Sequence, residues 1–560
     1  MSDLPRSLSL VSYAVNGSGL GHVARQVAIH RWLRRYASFC GVATQHWFLT
    51  TSEADTWLWH EGFAAFKLPS KSVVEAAGVN KLAYLALAKQ WIWHSLALLR
   101  PDLLIVDTFP NGSFQELLGA LDLCKHRALV LRPVKADIGQ QAAFRAVAGL
   151  YDRVIVPAVA DDGGAEALGL DPRRVAFTGP IMRAERFELR PRAAARQALG
   201  VAPDACCVLV SAGGGGDAGA TQLFQRTAEL LAGDPRLHLV LAAGPLYRGT
   251  PRRGPRVTWW TEPGLGEQLL GVDAAICAAG FNTAHELLFA GVPTVFVPQT
   301  KIADDQAARV DALVRAGAAR VASLDDSAGL QAAIAAVLEP ETAAALRAAG
   351  RAYVPDNHAR DAAIELLALS LPRTLLRHAR EVVDDAALAE LGGLGVELAA
   401  AVDLACALHV GRDAVDRGAL ELDAAIDLLR GAQAREVPAA TLLRVASLWT
   451  RKLRAPRAAA PESVAESLAL LLEFPGLAEQ WSAAPLLLGA LAGEREWGPV
   501  ELARQLCALL DAGLSAGRDV FAVARLLVEA QSELGPESDP RGGNAGLLAR
   551  ARARLRGGVG

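Results

Sequence analysis

Three features of this 560-residue sequence predict an α/β fold with two similar sheet-containing halves and a helical third region. Apolar strands and amphipathic helices alternate through residues 1–185, and the alternation restarts at residue 186 and runs to 372. Beyond residue 372 the sequence is rich in Ala, Leu, Arg and Glu, with helical spacing of apolar positions. Because such alternation favours parallel sheets, we predict two Rossmann-like domains, 1–185 and 186–372, and a helical accessory domain, 373–560.

Each half opens with a strand followed by a glycine-rich loop, which makes the halves a repeat of architecture rather than of sequence. In the first half the pattern predicts strands at 7–14, 45–50, 103–107, 128–131, 154–156 and 175–181, and helices at 23–36, 82–99 and 114–124. In the second half it predicts strands at 207–211, 237–242, 257–260, 274–277, 293–297 and 319–321, and helices at 193–199, 220–231 and 360–369.

The composition excludes several classes of function. The net charge of −3 gives no global attraction to nucleic acid. No uninterrupted apolar run approaches the roughly 18 residues that a membrane span needs, and the N-terminus lacks the pattern of a signal peptide. The seven cysteines include no C-x-x-C pair, which suits free thiols in a reducing compartment. We therefore expect a cytoplasmic protein with no transmembrane segment and no nucleic-acid partner.

The most informative stretch is residues 273–306, DAAICAAGFNTAHELLFAGVPTVFVPQTKIADDQ. The strand at 274–277 runs into a small-residue turn that contains Gly280, and the first turns of the helix that follows carry Asn282, Thr283 and Glu286. A helix N-terminus offers unpaired N–H groups to a phosphate, and Glu286 is placed to accept hydrogen bonds from a ribose diol. The next strand leads to Asp304, Asp305 and Gln306, which suit sugar hydroxyls. The combination indicates a nucleotide-sugar, although Gly and Pro also punctuate an ordinary βαβ unit.

The first glycine loop, GSGLGH at residues 17–22, lies between a strand and a helix. Gly19 and Gly21 permit close backbone approach to a ligand, and His22 occupies the place where a dinucleotide fingerprint would have its last glycine. A histidine titrates near neutrality and can accept the proton of an attacking hydroxyl. Asp107 ends another strand of the same sheet, where it is expected to orient His22. A capping or packing role fits His22 as well, and a helix N-terminal cap or a ligand of the acceptor fits Asp107.

The second glycine loop and a pair of tryptophans supply further candidates. Gly213, Gly214 and Gly215 follow a strand and expose successive N–H groups for an anion. Trp260 ends another strand, next to Trp259, and an aromatic ring there suits a nucleobase. Two adjacent tryptophans equally fit one core and one surface residue.

These motifs together resemble GT-B glycosyltransferases of family 28, the group that includes the lipid II N-acetylglucosaminyltransferase. The family pattern G-x-x-T-x-x-E-L, G-x-P, P and D-Q is matched by Gly280, Thr283, Glu286, Leu287, Gly291, Pro293, Pro298, Asp305 and Gln306. The G-x-G-H loop followed by Arg25 is similar to the group's first loop. In residues 213–216 a glycine replaces the serine usual in the family, and Asp217 adds an unexpected negative charge.

The resemblance implies a GT-B fold and transfer of a sugar, with inversion, from a nucleotide diphosphate donor such as a UDP-sugar to a hydroxyl or amine acceptor. His22, with Asp107, is expected to be the base, and the nucleotide-sugar is a co-substrate rather than a bound cofactor. No catalytic metal is expected, because neither Asp161–Asp162 nor Asp304–Asp305 has D-x-D spacing. The acceptor is not identified, and the helical region is expected to serve a protein partner or self-association.

Two alternatives use the same motifs. A nucleotide-sugar hydrolase or epimerase shares the fold, and in a hydrolase water replaces the acceptor. A non-catalytic nucleotide-sugar-binding scaffold, with the helical region as its working surface, belongs to a different class. Loss of turnover without loss of nucleotide binding in His22→Ala supports catalysis, whereas a parent protein without turnover supports the scaffold.

Overall fold

The computed structural model describes residue 5 and residues 7–382, except 16–18, 41, 54, 113–114, 140, 161–163, 217–218, 232, 245, 248, 252–253, 263 and 302–303. Nearly all of the predicted accessory domain, 373–560, therefore lies outside the described residues. The same holds for Asp161, Asp162 and Asp217 and for the beginning of the first glycine loop.

The first half contains a seven-stranded sheet in which every neighbouring pair is parallel. Its strands are β1 (Ser7–Ala14), β2 (Ala43–Thr50), β3 (Ala64–Lys67), β4 (Leu103–Asp107), β5 (His126–Val130), β6 (Arg153–Val156) and β7 (Val175–Phe177). The order across the sheet is β3-β2-β1-β4-β5-β6-β7. Helices join most of the strands, as is usual for parallel pairing; the described part of the β4–β5 connection has only a 3₁₀ turn.

The second half repeats this plan with six parallel strands. They are β8 (Cys206–Ser211), β9 (Leu237–Ala242), β10 (Val257–Trp260), β11 (Ala274–Cys277), β12 (Thr294–Phe296) and β13 (Arg320–Val321), in the order β10-β9-β8-β11-β12-β13. Alternate residues of β8 enter different cores: Leu209 packs on one face of the sheet and Val208 on the other. Both faces are thus buried, as is usual for parallel sheets.

Helices cover both sheets. In the first half they are α1 (Gly21–Phe39), α2 (Asp55–His60), α3 (Lys71–Ala76), α4 (Lys81–Leu99), α5 (Ala136–Gly139), α6 (Ala142–Ala148) and α7 (Gly164–Ala167). Those that follow are α8 (Arg192–Ala198), α9 (Gly219–Leu231), α10 (Phe281–Ala290), α11 (Gln306–Arg315), α12 (Ser327–Leu338), α13 (Pro340–Tyr353), α14 (Ala359–Leu367) and α15 (Arg373–Val382). Within the described part of the chain, no helix combines the length and apolar character needed to cross a membrane.

The order of the strands determines where a ligand can bind. In each sheet the chain starts at a central strand and adds strands towards one edge. It then returns to the centre and adds strands towards the other edge, so the connections lie on opposite faces of the sheet. The reversal lies between β1 and β4 in the first sheet and between β8 and β11 in the second. In open α/β sheets, ligands bind beyond the carboxyl ends of the strands at this point. The glycine loops follow β1 and β8, Gly280 follows β11, and Asp107 ends β4.

These sheets confirm the predicted fold class for the described residues: two parallel α/β halves that face a common cleft, the GT-B arrangement. After the second half the chain returns to the first. There α14 packs on β6, and Glu365 accepts a hydrogen bond from Arg153. The domain boundaries at 185/186 and 372/373 remain predictions.

The predicted helix over 114–124 is wrong. Gln115 and Gly119 have φ values of +64° and +87°, which a right-handed helix does not accommodate. Only a single 3₁₀ turn, Leu121–Leu123, forms in the described part of this segment. The sequence pattern also did not predict β3, a four-residue edge strand.

Candidate active site

His22 and Asp107 meet at the carboxyl edge of the first sheet. Asp107 ends β4 and is fully buried, while His22 lies in the first turn of α1 and is 5% exposed. His22 Nδ1 lies 2.8 Å from Asp107 Oδ1, although the angle falls short of a well-aligned hydrogen bond. Catalytic hydrogen bonds often tighten only when substrate binds. The imidazole stacks on the Phe109 ring with 5.9 Å between centroids.

Asp107 receives hydrogen bonds from three further side chains. Arg25 donates from Nε and Nη2 over 3.0 and 2.7 Å, Gln26 donates from Nε2 over 3.1 Å, and Thr108 donates from Oγ1 over 2.8 Å. Burial by itself would raise the pKa of Asp107, but Arg25 and His22 outweigh it and hold this pKa far below its usual range. Asp107 is therefore a fixed negative charge.

His22 is neutral at physiological pH. Burial lowers the pKa of its imidazole below 6.5, and Arg25 and Arg132 act in the same direction. Asp107 opposes the shift but does not cancel it. The neutral imidazole is the form that can accept a proton, so the environment of His22 fits a general base.

Thr108 holds an unusual backbone conformation beside this pair. Its φ is +65°, in the left-handed region that a β-branched residue rarely adopts. Its amide N–H donates to Val130 O over 2.8 Å, which fixes the turn against β5. Strained backbone of this kind clusters at functional sites. Here the strained residue, the buried Thr108, lies between Asp107 and Phe109 in the chain.

The two glycine loops approach each other across the cleft. A Cβ added at Gly214 would lie 3.0 Å from Leu20 N and 3.2 Å from Gly19 Cα, so a side chain there would press on the opposing backbone. Gly19, Gly21, Gly213 and Gly214 all line the cleft, whose volume is about 1470 Å³. Gly215 lies behind them and does not line it.

Gly215 is needed for the turn itself. Its φ is +81°, and an added Cβ would lie only 1.8 Å from Ala243 O. Gly213 has a similar φ of +77° but no atom within 4 Å of the same position. We expect Gly215→Ala to lower the free energy of unfolding by about 1–3 kcal/mol more than Gly213→Ala, because only Gly215→Ala adds a steric clash to the backbone strain. Urea unfolding of both variants measures the difference, and equal destabilisation would contradict it.

The N-terminus of α10 faces the cleft from the second half. Gly280 precedes the helix, and its carbonyl accepts the first helical hydrogen bond, from Ala284 N over 2.9 Å. By helix geometry the N–H groups of Phe281, Asn282 and Thr283 have no partner within the helix. These groups and the helix dipole form a site suited to a phosphate.

Glu286 lies one turn further along α10 and lines the same cleft. Burial raises the pKa of its carboxyl to about 7, although the nearby Arg183 opposes the shift, partly through a hydrogen bond from its backbone. A carboxyl group that titrates near neutrality beside a phosphate site is a candidate ligand-binding group.

The loop before α11 brings Asp304 rather than Asp305 into the cleft. Asp304 accepts hydrogen bonds from Arg132 over 2.8 Å and from Arg309 over 2.6 Å. Asp305 is exposed and caps α11 by accepting from Ala308 N over 3.0 Å. Gln306 lines the cleft, donating to Asp304 over 3.3 Å and accepting from the backbone of Gln299. The donor-binding roles predicted for Asp305 and Gln306 remain predictions.

The two tryptophans at the end of β10 have different environments. Trp259 stacks on Tyr247 with 5.6 Å between ring centroids and packs into the core. Trp260 lines the cleft, and its buried indole N–H has no hydrogen-bond partner within the described residues. Of the two tryptophans, Trp260 is thus the one available to a ligand.

The structure brings together most of the side chains and loops predicted from the sequence, and it adds others. Among those not predicted to line or support the site are Gln26, Thr108, Arg132 and Arg309. Arg132 follows β5 at the same edge as Asp107, which is the one signal that could have identified it. No three His, Cys, Asp or Glu side chains in the described ranges converge as a metal site, and metal independence remains a prediction.

Part of the second half matches a known family model. Residues 264–363 match the model of the glycosyltransferase family 28 C-terminal domain. This range contains α10, Glu286 and the Asp304–Gln306 loop, and the match confirms the resemblance found in the sequence.

Two curated relatives are UDP-N-acetylglucosamine–N-acetylmuramyl-(pentapeptide) pyrophosphoryl-undecaprenol N-acetylglucosamine transferases. The protein of Salinibacter ruber is 33% identical over 135 residues, which is 22% of this chain and 36% of the relative. The protein of Acetivibrio thermocellus is 30% identical over 171 residues, which is 28% of this chain and 44% of the relative. The chain thus spans less than half the length of either relative.

Two solved structures are reported as similar to this chain. The calicheamicin glycosyltransferase CalG4 has 18% identity and a TM-score of 0.44, with 65% of this chain and 98% of that chain covered. MurG of Acinetobacter baumannii has 17% identity and a TM-score of 0.43, with 65% of this chain and 100% of that chain covered.

Proposed function

We propose that this chain, which carries the glycosyltransferase family 28 C-terminal domain over residues 264–363, transfers a sugar from a nucleoside diphosphate donor to an acceptor hydroxyl or amine. The observation that supports this best is the placement of that domain's α10 N-terminus and Glu286 in the same cleft as the neutral His22 of the other half. The relatives' names specify a UDP-sugar, and the same nucleotide is proposed here.

In this proposal the donor lies along the second half. Its diphosphate binds the N–H groups of residues 281–283 and the glycine loop at 213–215, its ribose hydroxyls bind Glu286, and its nucleobase lies by Trp260. Charge that develops on the departing diphosphate is then met by fixed dipoles rather than by a metal ion. Asp304 and Gln306 are the groups proposed to hold sugar hydroxyls.

The chemical step begins at His22. Its imidazole accepts the proton of the acceptor as the acceptor oxygen or nitrogen bonds to the anomeric carbon. The bond between that carbon and the diphosphate oxygen breaks, and the nucleoside diphosphate leaves with the electron pair. Attack from the side opposite the leaving group inverts the anomeric configuration. Asp107 stays ionised throughout and stabilises the protonated imidazole.

The experiment that tests this function is a donor panel. UDP-, TDP- and GDP-sugars are titrated against the full-length protein by calorimetry, and release of free nucleotide is followed with and without candidate acceptors. Binding of one donor with negligible release, followed by transfer when an acceptor is added, is the expected result. Rapid release into water alone would indicate a hydrolase, and no binding by any donor would refute the proposal.

A further inference from the structure

The side chain of Asn282 does not face along its own helix towards the phosphate site but crosses to the first half. Its Nδ2 donates to Gly21 O over 3.0 Å, and its Oδ1 accepts from Arg25 Nη1 over 3.1 Å. Asn282 is 9% exposed and Arg25 is 1% exposed, so both contacts are shielded from water. The predicted donor-binding residue is thus joined by its side chain to the loop and helix that carry His22.

Arg25 connects this contact to the carboxylate beside His22. The same guanidinium that donates to Asn282 from Nη1 donates from Nε and Nη2 to the two carboxylate oxygens of Asp107. The guanidinium carbon also lies 5.8 Å from the centre of the Phe281 ring, at the start of α10. A planar guanidinium binds through a rigid set of donors, so displacement of Asn282 leaves a buried donor unpaired and removes one of the contacts that fix the orientation of Arg25 against Asp107.

We propose that Asn282 and Arg25 form a clasp that couples the position of the α10 N-terminus to the orientation of Asp107 and His22. Asn282 and Arg25 are positioning residues in this scheme, because they act through Asp107. The inference rests on the proposed function only for the role of His22 in the reaction, since the clasp itself is a feature of the ligand-free protein. If the clasp acts in this way, His22 has the correct orientation for a base when the clasp between the two halves is formed.

The charged groups around His22 make the clasp measurable. Asp107 raises the pKa of the imidazole, and Arg25 and Arg132 lower it. If Arg25 turns away from Asp107, the lowering influence weakens and the carboxylate acts more strongly on His22. Loss of the clasp is therefore expected to raise the pKa of His22, a change that a purely structural role for Asn282 would not produce.

The test compares Asn282→Ala with Lys135→Met in the full-length protein. Lys135 Nζ donates to Lys301 O over 2.7 Å, so its substitution removes another hydrogen bond between the halves without touching Arg25. Histidine labelling with ¹⁵N and an NMR pH titration follow His22, which is assigned from a His22→Gln sample. Asn282→Ala is expected to raise the titration midpoint, and Lys135→Met is expected to leave it at the wild-type value. Equal midpoints in all three proteins would overturn the clasp.

Kinetics with the donor found by the panel give a second readout. Asn282→Ala is expected to lower kcat/KM about tenfold, because misplacement of a catalytic group slows the reaction, while the nucleotide Kd changes less than about threefold. Arg25→Lys combined with Asn282→Ala is expected to be no worse than the poorer single variant, since coupled residues are not additive. Additive losses would overturn the clasp. A wild-type protein without turnover would refute the proposed function, and the NMR titration would still decide about the clasp.

Discussion

Replacement of His22 by alanine is expected to reduce sugar transfer by about 10²–10⁴-fold, the usual contribution of a general base. The nucleotide Kd is expected to stay within about threefold of wild type, because the proposed donor contacts come from the second half. Initial rates and calorimetry on the same preparation measure both quantities. The imidazole is neutral, 5% exposed and 2.8 Å from a permanently charged carboxylate, and no other histidine in the described residues has this environment.

The matched control is His94→Ala. His94 is an exposed histidine of α4 and does not line the cleft, so its substitution should leave both kcat and Kd unchanged. If His22→Ala retains wild-type turnover, the base lies elsewhere and the mechanism proposed above is wrong. If it loses donor binding instead, His22 is a ligand of the donor rather than a base.

The pH dependence of the reaction tests independently whether His22 is the general base. Because burial and two arginines lower the pKa of His22 below 6.5, kcat/KM of Glu286→Gln, in which residue 286 cannot titrate, should rise with pH through a midpoint on the acid side of that value and then level off. Below the midpoint the imidazole carries a proton and cannot accept another. A limb centred above 6.5 would contradict the described environment.

The sequence was sufficient to predict the elements of the candidate site because strand bounds and motif positions are local properties. Strands β1, β4, β9, β10 and β11 begin and end at the predicted residues. The glycine loops and the start of α10 follow from them, since parallel strands deliver their following residues to one edge.

The sequence could not predict features that depend on tertiary contacts. Thr108 gives no sign of its positive φ, which is maintained by hydrogen bonds to β5 and Asp107. Asp304 and Asp305 are adjacent and chemically identical, so only the turn into α11 decides which one enters the cleft. The side chain of Asn282 was expected to serve the donor, and only the packing of the two halves turns it towards Arg25.

The second large effect is expected at Glu286. Hydrogen bonds to a charged group contribute about 1.5–3 kcal/mol, so Glu286→Ala should weaken binding of the nucleotide-sugar roughly 10- to 150-fold. Glu229→Ala, at an exposed carboxylate on α9 of the same half, is the matched control and should bind normally. Wild-type affinity in Glu286→Ala would remove Glu286 from the donor site.

The ionisation of Glu286 gives this prediction a distinctive pH dependence. Burial raises the pKa of its carboxyl to about 7, and a ribose diol donates hydrogen bonds best to the carboxylate. Donor binding should therefore tighten as pH rises, by about tenfold between pH 6 and pH 8, where the ionised fraction grows from about 0.1 to 0.9. Glu286→Gln cannot titrate, so its affinity should be flat over this range in the same calorimetric series. Because His22 is unchanged in that variant, a slope that persists in Glu286→Gln would assign the pH dependence to another group.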